Sequence, residues 1–402
     1  MSAIRNFDVG LVIAVVLLIT FGLTAIYSAT YVGEKQTEFT KQLLWAVLGL
    51  VVLTAVVVTP LKSYYKNAYL LYGLSVILLV VVLFVGKGAG TRRWIALGPA
   101  WIQPAEFAKI GTLLALSRYL SNEHRKLDNL RELTVAFAIA FVPLALVMKQ
   151  PDLGSALVFL ALVLPVLHWA GLSPAILFVL LAPLASLLSA FNYYSFLIVM
   201  ILLSVTFLLC QRGLTFFLVN FIINIGVGIL TPIVWNLLKE YQKNRILTFL
   251  GLVRDPHGLG YQVIQSKVAI GSGGLLGKGF LDGTQTHLRF LPEQHTDFIF
   301  CVIGEEFGFI GVFLVLALFF YLVVKGIRIS TSVKSKFSSV VVFGATIIFL
   351  FQIFVNIGMT VGIMPVTGLP LPFLSYGGSS LLANLILVGL ILNASRKRFE
   401  YL

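Results

Sequence analysis

About twelve apolar runs, each close to the roughly 20 residues that a helix needs to cross a bilayer core, follow one another along the chain. They begin near Asp8, Lys41, Ala68, Gln103, Leu133, Gly154, Pro174, Ser195, Gly213, Phe298, Phe337 and Tyr376. In lipid every backbone amide and carbonyl must find a partner within the protein, which leaves only helices and closed barrels. The period-2 alternation of a membrane barrel is absent. The expected fold is therefore all-α, a polytopic membrane helix bundle of about ten to twelve transmembrane helices. Composition agrees, since 59% of the 402 residues are hydrophobic and 11% charged, far from the balance of a soluble domain. The first run lacks a small-residue cleavage site after it and reads as a retained helix. Cys210 and Cys301 both lie in apolar runs, so no disulfide framework is expected. Neither a repeat nor a low-complexity linker divides the chain, and residues 1–402 read as a single integral membrane domain.

The net charge of +13 is mainly a topology signal and not a sign of nucleic acid, because most basic residues sit in short loops beside apolar spans. With both termini cytoplasmic, the positive-inside rule fits nearly every loop. Two outward segments break it. One is the short loop with Lys87, Arg92 and Arg93, and the other is the long polar stretch 238–297, read as a large extracytoplasmic loop. Basic residues where topology disfavours them point to an anionic ligand, with lipid headgroups as the alternative.

Four further features could carry chemistry. Glu106 and Lys109, three apart at the start of a span, lie on one helix face; they are either a buried ion pair fixing the packing or part of a site. Asp152 either caps the next helix or serves a site on the same outward side. The run GSGGLLGKG, residues 271–279, departs from a Walker loop at Ser272 and Gly279, so a turn is the simpler reading. The segment PVTGLPLPFLSYGGSS, residues 365–380, reads as a re-entrant element, tolerated at membrane depth only where it packs in protein or lines a cavity. His257, His287 and His295 lack metal-ligand spacing, and no nucleophile signature is present. Carboxylates are what remain as outward bases: Asp255, Asp282, Glu293 and Asp297, with Asp152 nearby. Glu305 or Glu306 is expected to line the same cavity, the other to bond a neighbouring helix. Asp255, followed by Pro256 and flanked by Arg254 and Lys267, is expected to stay ionised.

At these residues the chain resembles the SEDS family of peptidoglycan polymerases. The resemblance rests on QPAEFAK from Gln103, QPDLGSA from Gln150, the block from Asp255 through GYQVIQSKVAIGSGGLLGKGF and GTQTHLRFLPEQHTDFIF to GEEFGFIG, and PLPFLSYGGSS from Pro370. Gly283-Thr284-Gln285-Thr286 is closer to the elongation branch than to the division branch. Ten spans are usual in the family, so 171–212 looks like a two-helix insertion.

The resemblance implies a glycosyltransferase of the bacterial plasma membrane, acting on its extracytoplasmic side. It would join the disaccharide units of lipid II, an undecaprenyl diphosphate-linked substrate, into β-1,4 glycan during cell elongation and shape maintenance. Asp255 matches the family's essential aspartate and is the implied base, with Lys109 and Glu106 as further catalytic candidates. Lys267, Arg92, Arg93, Arg245, Asp152, Gln265 and Ser375 are the substrate-binding candidates. A divalent cation, magnesium or manganese, is left open beside Asp255. A class B penicillin-binding protein transpeptidase and membrane lipids are the implied partners. The competing readings are a lipid II flippase and a non-catalytic scaffold of the cell-wall synthesis complex.

Overall fold

The structure, a computed structural model, describes residues 8–31, 37–87, 92–98, 100–122, 125, 127, 129–209, 214–237, 240, 243, 247, 259–287 and 293–396. Among them are fourteen helices and one two-stranded hairpin. In order they are α1 (Val9–Thr30), α2 (Thr37–Val58), α3 (Leu61–Val85), β1 (Ile95–Leu97), β2 (Ala100–Ile102), α4 (Pro104–Leu120), α5 (Leu130–Met148), α6 (Leu153–Trp169) and α7 (Pro174–Ser189). Then come α8 (Tyr193–Leu209), α9 (Leu214–Leu237), α10 (Leu259–Ser272), α11 (Thr284–His287), α12 (Ile299–Ser332), α13 (Lys336–Thr360) and α14 (Gly378–Arg396).

A helix begins near each of the twelve apolar runs, and all but one of these helices, α4, count as apolar by length or composition. Eight helices are long and apolar enough to cross a membrane, and three shorter apolar ones accompany them. This is an all-α polytopic membrane protein. The widest offset is at α3, expected from Ala68 and found from Leu61. Pro60 sits at the N-cap with extended backbone, so the helix starts at a backbone signal, one turn and more ahead of the apolar run.

The chain divides into two compact units, Met1–Ala170 with Arg254–Leu402, and Gly171–Val253. The smaller holds α7, α8 and α9. Its core is Ala182, Leu203 and Phe207, tied by the Ser186 hydroxyl donating to Asn224 Oδ1 at 2.7 Å. The residues 171–212 read as an insertion lie in this unit, which also contains α9.

In the larger unit α4 and α14 are the inner helices. Fifteen residues of α4 are buried, as expected of a helix enclosed on all sides. Small residues set the crossings: a side chain on Gly389 of α14 would strike Val56 of α2, and one on Gly111 of α4 would strike Ser75 of α3. Close approach at small residues is how helices gain contact in lipid, where no hydrophobic drive separates them from the tails.

The glycine run has a packing role. α12 is broken at Gly308, whose φ is 61° and ψ is −158°, and the peptide groups released there need partners. The run supplies them. Phe309 N donates to Gly274 O at 2.9 Å and Ile310 N to Leu275 O at 3.2 Å, while Lys278 N and Gly279 N donate to the carbonyls of Glu305 and Glu306 at 3.0 and 3.1 Å. Glu305, fully buried, accepts from Lys278 Nζ at 2.7 Å, the Thr286 hydroxyl at 2.8 Å and Gln285 N at 2.9 Å. Glu306 accepts from the Ser28 hydroxyl of α1. Neither glutamate lines the cavity described below, which corrects the expectation that one would.

Gly277 has φ +83° and a side chain there would collide with the Glu306 carbonyl, whereas Gly274, at φ +58°, has nothing within 4 Å. Gly277→Val is therefore expected to cost about 3 kcal/mol or more through strain and collision, and Gly274→Ala only about 1–2 kcal/mol. Thermal unfolding of the two variants in detergent compares them; equal losses would contradict the packing role.

Candidate active site

Motifs far apart in the sequence converge at one end of the larger unit. The β1–β2 hairpin, paired Ile95 with Ile102 and Leu97 with Ala100, leads into α4 through Gln103 and Pro104. Proline at the first helical position carries no amide to leave unpaired. Gln103 N donates to Ser379 Oγ of α14 at 3.0 Å, and Gln103 Nε2 donates to Asp152 Oδ2 at 2.9 Å. Asp152 caps α6, accepting from Ser155 N at 3.1 Å and Ser155 Oγ at 2.9 Å. Arg93 stands over the same turn, its Nη2 donating to Pro151 O at 2.8 Å and its Nη1 lying 3.9 Å from Asp152 Oδ1. Asp152 thus caps α6, as expected, and the same carboxylate also holds Gln103 and Arg93 beside the cavity.

The segment before α12 is fixed by the re-entrant segment. Ser375 Oγ donates to Thr296 O at 2.6 Å and accepts from Leu371 N at 2.8 Å. Tyr376 N donates to His295 O at 2.9 Å, and Asn356 Nδ2 of α13 donates to Asp297 O at 3.0 Å. Gln42 of α2 braces the loop, accepting from Gly377 N at 3.0 Å and donating to Ser375 O at 3.3 Å. The part of the segment from Leu371 to Ser375 is buried and serves as a scaffold.

Between these elements lies a cavity of about 980 Å³. Arg93, Gln103, Glu106, Asp152, Glu293 and Asp297 line its polar part, together with Lys41; Leu44, Trp45 and Leu48 of α2, with Trp94 and Trp101, line its apolar part. Leu44, Leu48 and Trp101 are themselves well exposed, so the cavity presents apolar surface open to a ligand. Burial pushes the Asp297 carboxyl up to about 6; Glu293 and Asp152 add to the rise, and Arg93 opposes it.

Of the residues expected from sequence, the structure brings Arg93, Glu106 and Asp152 to the cavity. Lys109 sits behind Glu106, with Nζ 2.7 Å from Glu106 Oε2 and both side chains 2% exposed. Arg92 donates to Leu83 O near the end of α3 at 2.9 Å. Lys267 is exposed on α10 beside Gly362, Gln265 is half-buried on the same helix, and Ser375 is behind the wall; none of the three lines the cavity. Asp255 and Arg245 lie outside the described residues. Sequence reading passed over Lys41, Trp45, Trp94, Trp101 and Gln103 as site residues. Gln103 was legible as the first residue of QPAEFAK, whereas Lys41 and Trp45 belong to an ordinary apolar span and carry no local signal. Among the described residues no group of three or more His, Cys, Asp or Glu gathers to hold a metal ion.

Asp152→Ala removes an N-cap and leaves Arg93 and Gln103 without their shared acceptor. The expected loss is about 1–2 kcal/mol, and Asp152→Asn, which keeps a capping oxygen, should retain most of it. Melting temperatures in detergent check the order; an alanine variant as stable as the asparagine one would contradict it.

Comparison with known proteins agrees with this convergence of motifs. A family model covering FtsW, RodA and SpoVE, described as cell cycle protein, matches residues 9–198 and 194–400. The chain is 33% identical over 431 residues to the peptidoglycan glycosyltransferase RodA of Treponema pallidum, spanning 98% of this chain and 99% of that protein. It is 33% identical over 395 residues to the peptidoglycan glycosyltransferase MrdB of Escherichia coli strain K12, spanning 98% and 94%. Among solved structures, a chain described under structural coordination of polymerization and crosslinking by a peptidoglycan synthase complex superposes with a TM-score of 0.73 at 31% identity, covering 98% of this chain and 99% of that one. With its motif blocks in order from end to end and its fold matched throughout, the chain belongs to the FtsW/RodA/SpoVE family.

Proposed function

We propose that the chain is a peptidoglycan glycosyltransferase of the elongation type, polymerising lipid II into β-1,4 glycan. The observation that carries this reading is the cavity, whose polar half gathers Arg93, Gln103, Glu106 and Asp152 while its apolar half presents exposed Leu44, Leu48 and Trp101. A substrate that is part polyprenyl chain and part diphosphate sugar needs both halves in one place.

In the proposed step Asp255 takes the proton of a sugar 4-hydroxyl. The hydroxyl oxygen forms a bond to the anomeric carbon of the second substrate, and the carbon–oxygen bond to the diphosphate breaks with its electron pair leaving on the diphosphate. Attack opposite the leaving group turns an α linkage into β. Proton transfer of this kind contributes about 10²–10⁴-fold, so charge support for the leaving diphosphate must supply much of the remainder. Arg93 and Lys41 are the cations on the cavity wall suited to it. Lys109 acts through Glu106 as a positioning residue. Asp255 is the residue that would hold a divalent cation, magnesium or manganese, and such an ion would supply further charge support for the leaving diphosphate.

The reading places the protein in the bacterial plasma membrane, with both termini cytoplasmic, the cavity on the extracytoplasmic side and 238–297 forming a large outer loop. It assigns 171–212 as a two-helix insertion. It also assigns a class B penicillin-binding protein as the crosslinking partner, in keeping with the coupled polymerization and crosslinking described for the solved synthase complex. The test is incubation of the purified chain with lipid II in detergent, where no bilayer remains to be crossed. Glycan strands are expected; unreacted lipid II, with transport across vesicles instead, would make the protein a flippase.

A further inference from the structure

We propose that Asp297 is a substrate-contacting carboxylate of this cavity, accepting a hydrogen bond from a hydroxyl or amide N–H of the bound lipid-linked saccharide. The inference rests on the reading of the cavity as a lipid-linked sugar site and adds a residue to it.

The geometry separates a fixed backbone from an uncommitted side chain. Around Asp297 the chain is clamped from three sides, by Ser375 on Thr296 O, by Tyr376 N on His295 O and by Asn356 on Asp297 O. The Asp297 N–H is used as well, donating to Glu293 O at 3.2 Å. Backbone ordered to this degree places a side chain for contact with little further loss of freedom. Every other carboxylate on the wall already has a partner. Asp152 holds Ser155, Gln103 and Arg93, Glu106 holds Lys109, and Glu293 accepts from the Thr296 hydroxyl at 3.1 Å. The Asp297 carboxylate accepts no hydrogen bond from any described residue, although it lines the cavity. Gly368 flanks it, with no side chain to cover Oδ2.

The surroundings do not suit a structural ion pair. Facing Asp297 are Glu293 from its own segment, Asp152 from the start of α6, and one cation, Arg93, from the loop before the hairpin. Two acids and one base leave the carboxylate short of compensation, so its ionised form raises the energy of the fold. A group kept at such a cost, on a fixed backbone and facing a cavity, is what a binding site requires. Burial raising its pKa to about 6 gives the contact a pH signature. Above that value the group is an ionised acceptor; below it the group becomes a neutral acid and the charge-assisted bond weakens.

The experiment measures lipid II binding to the full chain in detergent from pH 8 to 5.5, using quenching of the cavity tryptophans, beside glycan formation from the same samples. Wild-type Kd is expected to rise as pH falls through about 6. Asp297→Asn is expected to bind about tenfold or more weakly at pH 8 with no acid limb, and Asp297→Glu to recover part of the affinity. The asparagine variant should melt no lower than wild type at pH 8, because the neutral amide removes the cost of burying a charge. Wild-type affinity in Asp297→Asn, or an acid limb that survives the substitution, would overturn the proposal. Should the variant fail to accumulate, a flat wild-type Kd from pH 8 to 5.5 would overturn it alone. pH-dependent binding without glycan would refute the polymerase reading and leave Asp297 as a ligand contact.

Discussion

Lys109→Ala is expected both to destabilise the protein by about 3–5 kcal/mol and to abolish glycan formation. The ammonium and the Glu106 carboxylate are 2.7 Å apart with 2% of either side chain exposed, and removing one partner leaves the other charged in a medium that cannot solvate it. Loss of stability alone would not distinguish packing from chemistry. The pair Glu106→Gln with Lys109→Met does, since replacing a buried ion pair by neutral groups of similar volume is often neutral or stabilising. If the pair only fixes the packing of α4, the double variant keeps both fold and turnover. If Glu106 meets substrate with Lys109 behind it, the fold survives and turnover does not. The second outcome is expected, because Glu106 forms part of the cavity wall and Lys109 has no hydrogen-bond partner among the described residues beyond this ion pair. Glycan yield and melting temperature, read on the same preparation, decide it.

The other large effect is at Asp255. Asp255→Asn keeps the side chain's size and removes its ability to take a proton, so glycan output is expected to fall about 10²–10⁴-fold with the melting temperature within a few degrees of wild type. Output near normal from such a variant would move the base elsewhere, and Asp297 would be the carboxylate to try next. The pH profiles differ between the two: loss of the base lowers turnover at every pH, whereas loss of the Asp297 contact weakens binding above about pH 6 and leaves binding at lower pH nearly as it was.

The bundle was legible because lipid imposes a length and an apolar composition on each crossing element, and these survive in the sequence as runs. Two of its features were less so. α4 is found by its start, QPAEFAK, more readily than by hydropathy, because it is enclosed by protein and carries Glu106, Lys109, Thr112 and Ser117 among its buried residues. The Gly308 break is invisible to periodicity, since apolar residues continue on both sides and only the pairing of 274–279 with 305–310 explains the glycines. The polar half of the site was readable from Glu106, a charge inside a span, from Arg93, a cation in an outward loop where topology disfavours it, and from Asp152 in the outward turn before α6. Its other members were not. Lys41 and Trp45 reach the cavity only because α2 packs beside α14, a tertiary fact with no local trace. Ser375 looked like a binding residue and turned out to hold the Thr296 carbonyl. A hydroxyl in a glycine-rich segment reads the same in both roles.

The most direct test of inverting glycosyl transfer is the linkage of the product. Purified wild-type chain is incubated with lipid II in detergent, and the strands are digested with a muramidase specific for β-1,4 bonds. Strands that form and are cut completely to disaccharide-peptide units are expected. Strands resistant to that enzyme, or no strands from an active preparation, would contradict the mechanism.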